Sequence, residues 1–204
     1  MKKQDKYHHG GLKNKLIKDF LLAVKEDSLE KFSIRESARL IGVSAAAPYN
    51  HFKDKQDLIC SALDFSRNEF LEFLITDLDN IENNVNKLVL IGKNYLFYAD
   101  SKPELFNFIF ANMGQNKVEN NFYIKIHDLF LEVISKSSDL TNLRTRVSLN
   151  TAVKAAWSMV HGIACLISNR AINDDEIKGY IEGKLFDELS AIWAVGVSKP
   201  PKYK

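Results

Sequence analysis

The sequence predicts an all-α protein built from two domains. Only four prolines occur among its 204 residues, and residues 104–199 contain none. Apolar residues recur three and four positions apart, the spacing that places side chains on one face of a helix. The sequence shows no convincing run of alternating apolar and polar residues bounded by hairpin turns such as Asn-Gly. With 46% hydrophobic and 26% charged residues, the composition is that of a globular chain with enough apolar material for a core.

Three helices are predicted in the N-terminal quarter. The first covers about residues 12–25. The second begins at a capping box, residues 33–36, in which a serine hydroxyl and a glutamate carboxylate each cap a backbone N–H of the helix start. It ends near Gly42, because glycine suits the left-handed conformation that follows many helices. The third, capped by Ser44, extends to about Phe52 with Pro48 in its first turn, where a missing N–H costs least.

Longer helices are predicted beyond this point. Asp54 and Asp57 mark the start of the next one, as its cap and its third residue. A second capping box at residues 101–104 has a proline in the first turn, and residues 105–113 are apolar nearly all round, so we expect them to be buried or to line a cavity. The remaining predicted helices lie around residues 81–96 and at residues 122–136, 146–170 and 174–193.

Charge is unevenly divided along the chain. Residues 1–18 contain six lysines and one aspartate, and residues 1–60 contain twelve Lys/Arg against eight Asp/Glu. The remaining residues contain sixteen against eighteen. A basic N-terminal third on a slightly acidic body indicates a module that binds a polyanion, joined to a module with another task. A solubilising arm is the alternative explanation for the basic N-terminus.

Residues 33–55 have the organisation of a helix–turn–helix: a short capped helix, a glycine turn and a second short helix with a polar face. Tyr49, Asn50 and His51 offer hydrogen-bonding groups for phosphates or base edges. The alanines at 45–47 allow close approach to DNA and contact with thymine methyl groups. Lys55 adds a charge beside the free N–H groups of a helix start, which suits a phosphate. On geometry alone, a corner of an all-helical enzyme remains possible.

Four motifs occur in order along residues 7–55: Tyr7-His8-His9-Gly10, Ile34-Arg35-Glu36, Gly42-Val43-Ser44 and Ala47-Pro48-Tyr49-x-His51-Phe52-x-x-Lys55. Over residues 7–65 they closely resemble the N-terminal domain of the TetR/AcrR family of transcriptional regulators. A weaker match, Trp157-x-x-x-His161-Gly162, resembles the branch whose C-terminal domain is called WHG. The resemblance implies a DNA-binding domain at residues 1–55, an effector-binding and dimerisation domain at 56–197, and a loose tail at 198–204.

The resemblance further implies a homodimer that binds a palindromic operator on double-stranded DNA, most simply as a repressor, and is released by a small molecule. The residues expected to face DNA are Ser33, Arg35, Ser44, Ala45, Ala46, Ala47, Tyr49, Asn50, His51 and Lys55. The recognition helix, which is the second helix of the motif, has no Arg, Lys or Gln, so it lacks most of the side chains that bond strongly to base edges. Specificity should therefore depend on Asn50, Arg35, methyl contacts and DNA shape. Phosphates should be neutralised mainly by Lys2, Lys3, Lys6, Lys13 and Lys55, so that affinity falls steeply with salt.

Aromatic residues are abundant in the second domain, and some should line the cavity of an apolar or aromatic effector. The residues expected at that site are Tyr95, Phe106, Phe110, Met113, Phe122, Phe130, Trp157 and His161. Trp157 and His161 lie four positions apart on one helical face. Their alternative role is a packed core tryptophan with a hydrogen-bonded histidine.

A stripe of small residues occupies one face of the helix predicted at residues 146–170. It consists of Ala155, Ser158, Gly162, Cys165 and Asn169, and the first four are the residues expected at a dimer seam. A tight crossing of two helices within one chain is the alternative.

We expect no metal and no cofactor. Cys60 and Cys165 are far apart and form no C-x-x-C pair, and His8 and His9 lie on a basic arm where phosphate contacts are the simpler role. No apolar signal region and no membrane-spanning stretch is apparent, which predicts a cytoplasmic protein.

Two other classes remain open beside the regulator. One is an architectural or cell-division protein of the same fold that binds many chromosomal sites. The other is a helical enzyme, which is disfavoured because the sequence has no phosphate-binding Gly-rich loop, no nucleophile elbow and no H-E-x-x-H motif.

Overall fold

The structure is a computed structural model that describes residues 9–111, 119–136 and 147–197. Over these ranges it contains nine α-helices, two 3₁₀ helices and no β-strand, as the predicted all-α class requires. The α-helices are α1 (His9–Lys25), α2 (Ile34–Leu40), α3 (Lys55–Leu74), α4 (Asn84–Ser101), α5 (Pro103–Ala111), α6 (Glu119–Ser135), α7 (Leu149–Ser168), α8 (Asp174–Ile181) and α9 (Leu185–Val197). The 3₁₀ helices are Ala47–Asn50 and Leu78–Asn80.

The chain forms two compact units that divide between Asn68 and Glu69, inside α3. The boundary predicted between residues 55 and 56 lies at the start of the same helix.

In the N-terminal unit, α1 supplies the centre of the core. Leu16 and Phe20 are buried, and the Phe20 ring meets the Phe32 ring edge-on at a centroid distance of 5.1 Å. Ala38 of α2 and Phe52 are buried as well. These contacts hold the short elements after α1 in place.

The predicted end of α2 is confirmed at Gly42, whose φ is +85°. The N–H of Gly42 donates to the Arg39 carbonyl at 3.0 Å, and the N–H of Val43 donates to the Ala38 carbonyl at 2.9 Å. This pair of bonds is the Schellman motif, which satisfies carbonyls that a helix end would otherwise leave open.

Only half of the first capping box is present. The Ser33 hydroxyl accepts from the Glu36 N–H at 3.5 Å. The Glu36 carboxylate, which was expected to reach back to Ser33, instead lies 3.5 Å from Arg39 Nη1. The Glu36 side chain can pair with Arg39 because residues three positions apart lie on the same face of a helix.

The third predicted helix, from Ser44 to about Phe52, is wrong in length and type. Residues 47–50 form a 3₁₀ helix, in which the Ala47 N–H donates to the Ser44 carbonyl and the Tyr49 N–H donates to the Ala46 carbonyl. The cap position is Ala46 rather than the predicted Ser44, and it has no side-chain capping bond. Pro48 has no N–H and so cannot make the bond to residue 44 that an α-helix would need. The proline that suits a helix start has here shortened the element to a single tight turn.

The C-terminal unit is organised around α4 and α7, which have the most extensive packing of any helix pair described. Tyr95 and Leu96 of α4 and Val153, Val160 and Ile167 of α7 are all buried. Among the described helices, α7 is also long and apolar enough to cross a membrane, and 44% of the relevant window is buried inside the protein. A core helix meets the same criterion, and the packing of α7 accounts for its composition.

Two further predictions on helix ends are corrected. Ser101 does not cap α5, because it is the last residue of α4 and its hydroxyl donates to the Phe97 carbonyl at 2.7 Å. Pro103 does begin α5, as predicted. The single helix expected over residues 174–193 is broken into α8 and α9 at Gly183. A Cβ on Gly183 would lie 2.8 Å from the Gly179 carbonyl oxygen, so the chain turns where its two glycines approach closely.

Candidate DNA interface and effector cavity

The predicted DNA-facing residues lie on the surface of the N-terminal unit. None of the ten is buried: seven are exposed and three are half-buried. The exposed ones are Ser33, Arg35, Ser44, Ala46, Tyr49, Asn50 and Lys55, and the half-buried ones are Ala45, Ala47 and His51. Their contact with DNA stays a prediction, but the exposure it requires is present.

The 3₁₀ turn separates an apolar side from a polar side. Pro48 is buried, and Phe52 just beyond the turn is 1% exposed. Tyr49 is 43% exposed and Asn50 is also exposed. The two inward residues fix the turn against the core and leave the phenol and the amide directed at solvent, where a groove of DNA can be read.

Lys55 is held at the first position of α3. Its Nζ donates to the Phe32 carbonyl at 3.3 Å and lies 5.8 Å from the centre of the Phe32 ring. The ammonium is therefore positioned by the loop before α2 while remaining exposed. A positioned, exposed ammonium suits a phosphate oxygen.

The start of α3 is capped as predicted. Asp54 Oδ1 accepts from the Asp57 N–H at 2.9 Å, and Asp57 Oδ2 accepts from the Lys53 N–H at 2.9 Å. The N–H groups at the first two helical positions have no intrahelical acceptor. They stand beside the Lys55 ammonium as donors for an anion.

Among the other predicted phosphate contacts, only Lys13 has a described side chain. Its Nζ lies 5.7 Å from the centre of the Phe52 ring, and the residue is exposed on α1. Lys2, Lys3, Lys6 and His8 lie outside the described residues.

In the C-terminal unit, a cavity of about 650 Å³ opens between α4, α6, α7 and α9. This volume is within the range of small-molecule sites, ~300–1,000 Å³. Of the eight predicted effector residues, Phe130 lines this cavity and Met113 lies outside the described residues. The other six are not among its lining residues.

One ion pair stands in the cavity wall. Lys93 Nζ of α4 lies 3.0 Å from Asp187 Oδ1 and 3.2 Å from Oδ2 of α9. The Lys93 side chain is 25% exposed and that of Asp187 44%. Beside the pair, the buried Phe186 ring packs directly on Gly92. The pair and this contact together join α4 to α9.

The six remaining aromatic predictions belong to a separate cluster that surrounds Phe70 of α3. Phe70 meets Tyr95 edge-on at a centroid distance of 5.0 Å, and Phe106 lies 4.7 Å from Phe110. Phe110 in turn lies 4.7 Å from the His161 ring. Phe122 joins the cluster through Phe70 and Phe110. Such edge-on and tilted contacts are typical of a packed aromatic core.

Trp157, Tyr95 and His161 form a hydrogen-bonded chain within this cluster. Trp157 Nε1 donates to Tyr95 Oη at 3.3 Å, and Tyr95 Oη lies 2.8 Å from His161 Nδ1. Because Tyr95 accepts from the indole, its own proton is available for Nδ1. The His161 proton is then on Nε2, which faces Cys165 Sγ at 3.5 Å.

Burial supports that proton assignment. It raises the pKa of Tyr95 well above its ordinary 10.0 and lowers the pKa of His161 below its ordinary 6.5. Both groups are therefore neutral near pH 7. This geometry is that of the alternative left open by the sequence, a core tryptophan with a hydrogen-bonded histidine, and a role in ligand contact stays a prediction.

The stripe of small residues on α7 faces outward. Ala155, Ser158 and Gly162 are exposed and Cys165 is half-buried. A Cβ built on Gly162 would meet no described atom within 4 Å. A tight crossing with another described helix of the same chain is therefore not found at Gly162.

Sequence reasoning missed four charged and aromatic residues of the cavity: Lys93, Phe186, Asp187 and Trp193. The sequence does carry a partial signal, because Val85, Leu88 and Gly92 are spaced three and four residues apart, as on one face of the helix predicted around residues 81–96. The partner of α4 at the cavity is α9, which is distant in sequence: Asp187 lies 94 residues after Lys93, to which it is bonded. Within the described residues, no group of three or more His, Cys, Asp or Glu side chains could hold a metal ion.

No family model matches the chain. An HTH-type transcriptional regulator from Staphylococcus aureus (strain bovine RF122 / ET3-1) is 24% identical over 170 residues, covering 80% of this chain and 86% of the relative. Several regulators of the same description from other S. aureus strains are 25% identical over the same length.

Three solved structures share the fold. A protein of unknown function from Rhodococcus sp. RHA1 has a TM-score of 0.78 at 20% identity and covers 96% of this chain and 100% of its own. The regulator FadR from Bacillus subtilis, in complex with stearoyl-CoA, has a TM-score of 0.68 at 13% identity, covering 90% and 98%. A tetR-family regulatory protein from Rhodococcus RHA1 has a TM-score of 0.63 at 12% identity, covering 93% and 98%. The chain has the fold of the TetR-family transcriptional regulators, so the fold that the resemblance of its N-terminal motifs implies is confirmed.

Proposed function

We propose that this protein is a ligand-responsive transcriptional regulator that binds a palindromic operator as a homodimer and leaves it when a small molecule occupies the cavity. The observation that carries the proposal is the 3₁₀ turn, which anchors Pro48 in the core and directs Tyr49 and Asn50 outward. The description of the S. aureus relatives as HTH-type transcriptional regulators supports the same function.

DNA binding would combine phosphate neutralisation with a modest amount of base reading. Lys13 and Lys55 supply exposed ammonium groups, and the start of α3 supplies N–H donors. Asn50 and Arg35 are the described side chains that suit hydrogen bonds to base edges. Two copies must place their turns in successive major grooves, ~34–36 Å apart, which makes the operator symmetric.

A second copy of the chain is the proposed cover for the outward faces of α7 and α9. Leu166 of α7 is 45% exposed, and Ile192 and Val195 of α9 are 67% and 75% exposed. Burying such side chains against a second copy is favourable by ~25 cal/mol for each Å² of apolar surface removed from water. The small residues of α7 would let two backbones approach closely at the centre of the contact.

The cavity favours a regulator that responds to a ligand over an architectural protein that binds DNA constitutively. It is formed in the unit that does not hold the DNA-facing residues. A small molecule that prefers one conformation of this unit shifts the population of that conformation and thereby the operator affinity. The complex of FadR with stearoyl-CoA supports the proposal, because it shows a regulator of this fold with a bound small molecule.

The direct experiment is selection of bound fragments from a random pool of duplex DNA. We expect recovered sequences with two inverted half-sites, and a Tyr49→Ala variant that remains folded and dimeric but recovers them poorly. A matched control is Tyr180→Ala, a change of the same kind in the C-terminal unit. Recovery of unrelated sequences with no symmetry would contradict the regulator and favour a chromosome-wide architectural role.

Repression is tested with a reporter gene placed behind the selected operator. Expression should rise when the regulator is deleted and should fall again when it is supplied from a plasmid. A fall in expression on deletion would identify an activator instead.

The proposed location is the cytoplasm, where a bacterial operator lies, and the proposed activity is binding rather than catalysis.

A further inference from the structure

The cavity extends away from the Lys93–Asp187 ion pair over two turns of each flanking helix. On α4, its lining residues run from Lys93 back to Val85, a distance of about 12 Å at a rise of 1.5 Å per residue. On α9, they run from Asp187 to Ala194, or about 10 Å by the same rise. The charged pair therefore stands at one end of both rows.

Away from this end the walls are apolar. The side chains that form them include Leu88, Val89, Phe130, Met159, Val160 and Trp193. A molecule that fills the cavity must present an apolar body to these walls, since a polar body would lose hydrogen bonds to water without replacing them. The charged end can accept one polar head group.

The two members of the ion pair are not equally dependent on each other. Asp187 is the third residue of α9, where the helix N-terminus stabilises a carboxylate, and its side chain is the more exposed of the two. Lys93 is less exposed, and Asp187 is the acidic partner that the structure describes for it. Removing Asp187 as a partner would leave an ammonium in a largely apolar wall.

This asymmetry decides which charge the cavity accepts. An anionic head group that binds Lys93 replaces the lost partner and leaves Asp187 at a helix start, with a side chain that is 44% exposed although its Oδ1 is buried. A cationic head group that binds Asp187 leaves Lys93 half-buried and unpaired, which is costly. An anion is therefore the better occupant of the charged end.

We propose that the cavity binds an amphipathic carboxylate, an apolar chain or ring system with one carboxylate that takes the place of Asp187 on Lys93. This assignment rests on the proposed function for its regulatory meaning, though not for the binding itself. Because the ion pair joins α4 to α9, exchange of its partner releases one of the contacts between these helices. The ligand is then linked to the conformation of the C-terminal unit.

Four probes with the same ten-carbon chain test the head group by isothermal titration calorimetry: decanoate, decanol, decylamine and decanoyl-CoA. We expect decanoate to bind about tenfold more tightly than decanol, in line with one charge-assisted hydrogen bond. Decylamine should bind more weakly than decanol. Lys93→Met should reduce decanoate to the affinity of decanol, whereas Lys136→Met, at an exposed lysine outside the cavity, should not.

Asp187→Asn gives a result in the opposite direction. It removes the competing carboxylate but keeps the shape of the side chain, so decanoate should bind more tightly to this variant than to the wild type. A purely structural role of the ion pair would instead weaken all four probes in both variants. The fold of each variant is checked by circular dichroism before titration.

The remaining outcomes separate this assignment from the proposed function. Binding of decylamine above decanoate, binding of decanoyl-CoA with no binding of decanoate, or an unchanged decanoate affinity in Lys93→Met would overturn the carboxylate. Failure of all four probes in a protein that binds its operator would overturn it too and leave the regulator intact. Decanoate binding through Lys93 in a protein that selects no DNA would support the carboxylate and refute the regulator.

Discussion

The Phe186 ring of α9 packs on the backbone of α4 at Gly92, so closely that a Cβ on this glycine would overlap Phe186 Cζ. Phe186 is 3% exposed, and its ring would have to shift from its packed position beside the cavity to admit a methyl group. We predict that Gly92→Ala destabilises the protein by about 1–3 kcal/mol, the usual cost of overpacking a core, even though alanine is the better helix former. The free energy of unfolding in urea measures this directly.

Gly162→Ala is the matched control for that change. Gly162 also lies within a helix, but its Cβ would meet no described atom within 4 Å. This variant should be as stable as the wild type or gain up to about 1 kcal/mol from helix propensity. Equal stability changes in the two variants would show that the Gly92–Phe186 contact is not the cause.

We predict that Lys55→Gln weakens operator binding at every DNA sequence to a similar extent. The change removes one ammonium that the structure positions on the Phe32 carbonyl at 3.3 Å. The slope of log affinity against log salt concentration should fall by about 1, because one phosphate contact is lost. Fluorescence anisotropy at several salt concentrations measures the slope, and a slope unchanged from wild type would remove Lys55 from the interface.

Asn50→Ala should behave differently from Lys55→Gln. Asn50 is exposed on the polar side of the 3₁₀ turn and offers an amide to a base edge. Its removal should cost about 1–3 kcal/mol at one base-pair position and relax the preference there, with little change in salt dependence. The measurement is the affinity for operators substituted at each position in turn. A uniform loss across all of them would make Asn50 a phosphate contact.

The elements predicted well are those set by short-range chemistry. The glycine turn at Gly42 and the Asp54 cap of α3 depend on bonds that span three to five residues. The sequence shows both the group that is bonded and its partner. The exposure of the DNA-facing residues follows from the same local pattern.

The errors arise where a local group has two possible partners or a distant one. The Ser101 hydroxyl can cap the next helix or bond back to Phe97, and packing selects the second. Pro48 suits a helix start, yet its missing N–H shortens the turn. The charged end of the cavity is formed by Lys93 and Asp187, which are 94 residues apart. No periodicity in α4 indicates which helix will supply its partner.

We predict that the protein loses stability below pH 6.5 partly through His161. Burial lowers the pKa of this imidazole, so between its folded value and 6.5 the unfolded chain binds more protons than the folded one. Stability must then decrease as the pH falls through that window and be fully retained above it. His161→Gln should flatten this part of the profile when unfolding is measured at pH 7.5, 6.5 and 5.5. Parallel profiles for variant and wild type would assign the pH dependence to other groups.

Gly162→Leu tests whether the outward stripe on α7 is the dimer seam. Gly162 is exposed and a Cβ on it would meet no described atom within 4 Å, so the fold of a single protomer should tolerate a leucine. If two copies meet along Ala155, Ser158 and Gly162, the added side chain separates their backbones and weakens the dimer by tenfold or more, about 1.4 kcal/mol. Sedimentation equilibrium measures the dimer constant, and circular dichroism confirms the fold. A leucine variant that is folded and dimerises as the wild type does would place the seam elsewhere, and the exposed Ile192 and Val195 of α9 would then be the next surface to substitute.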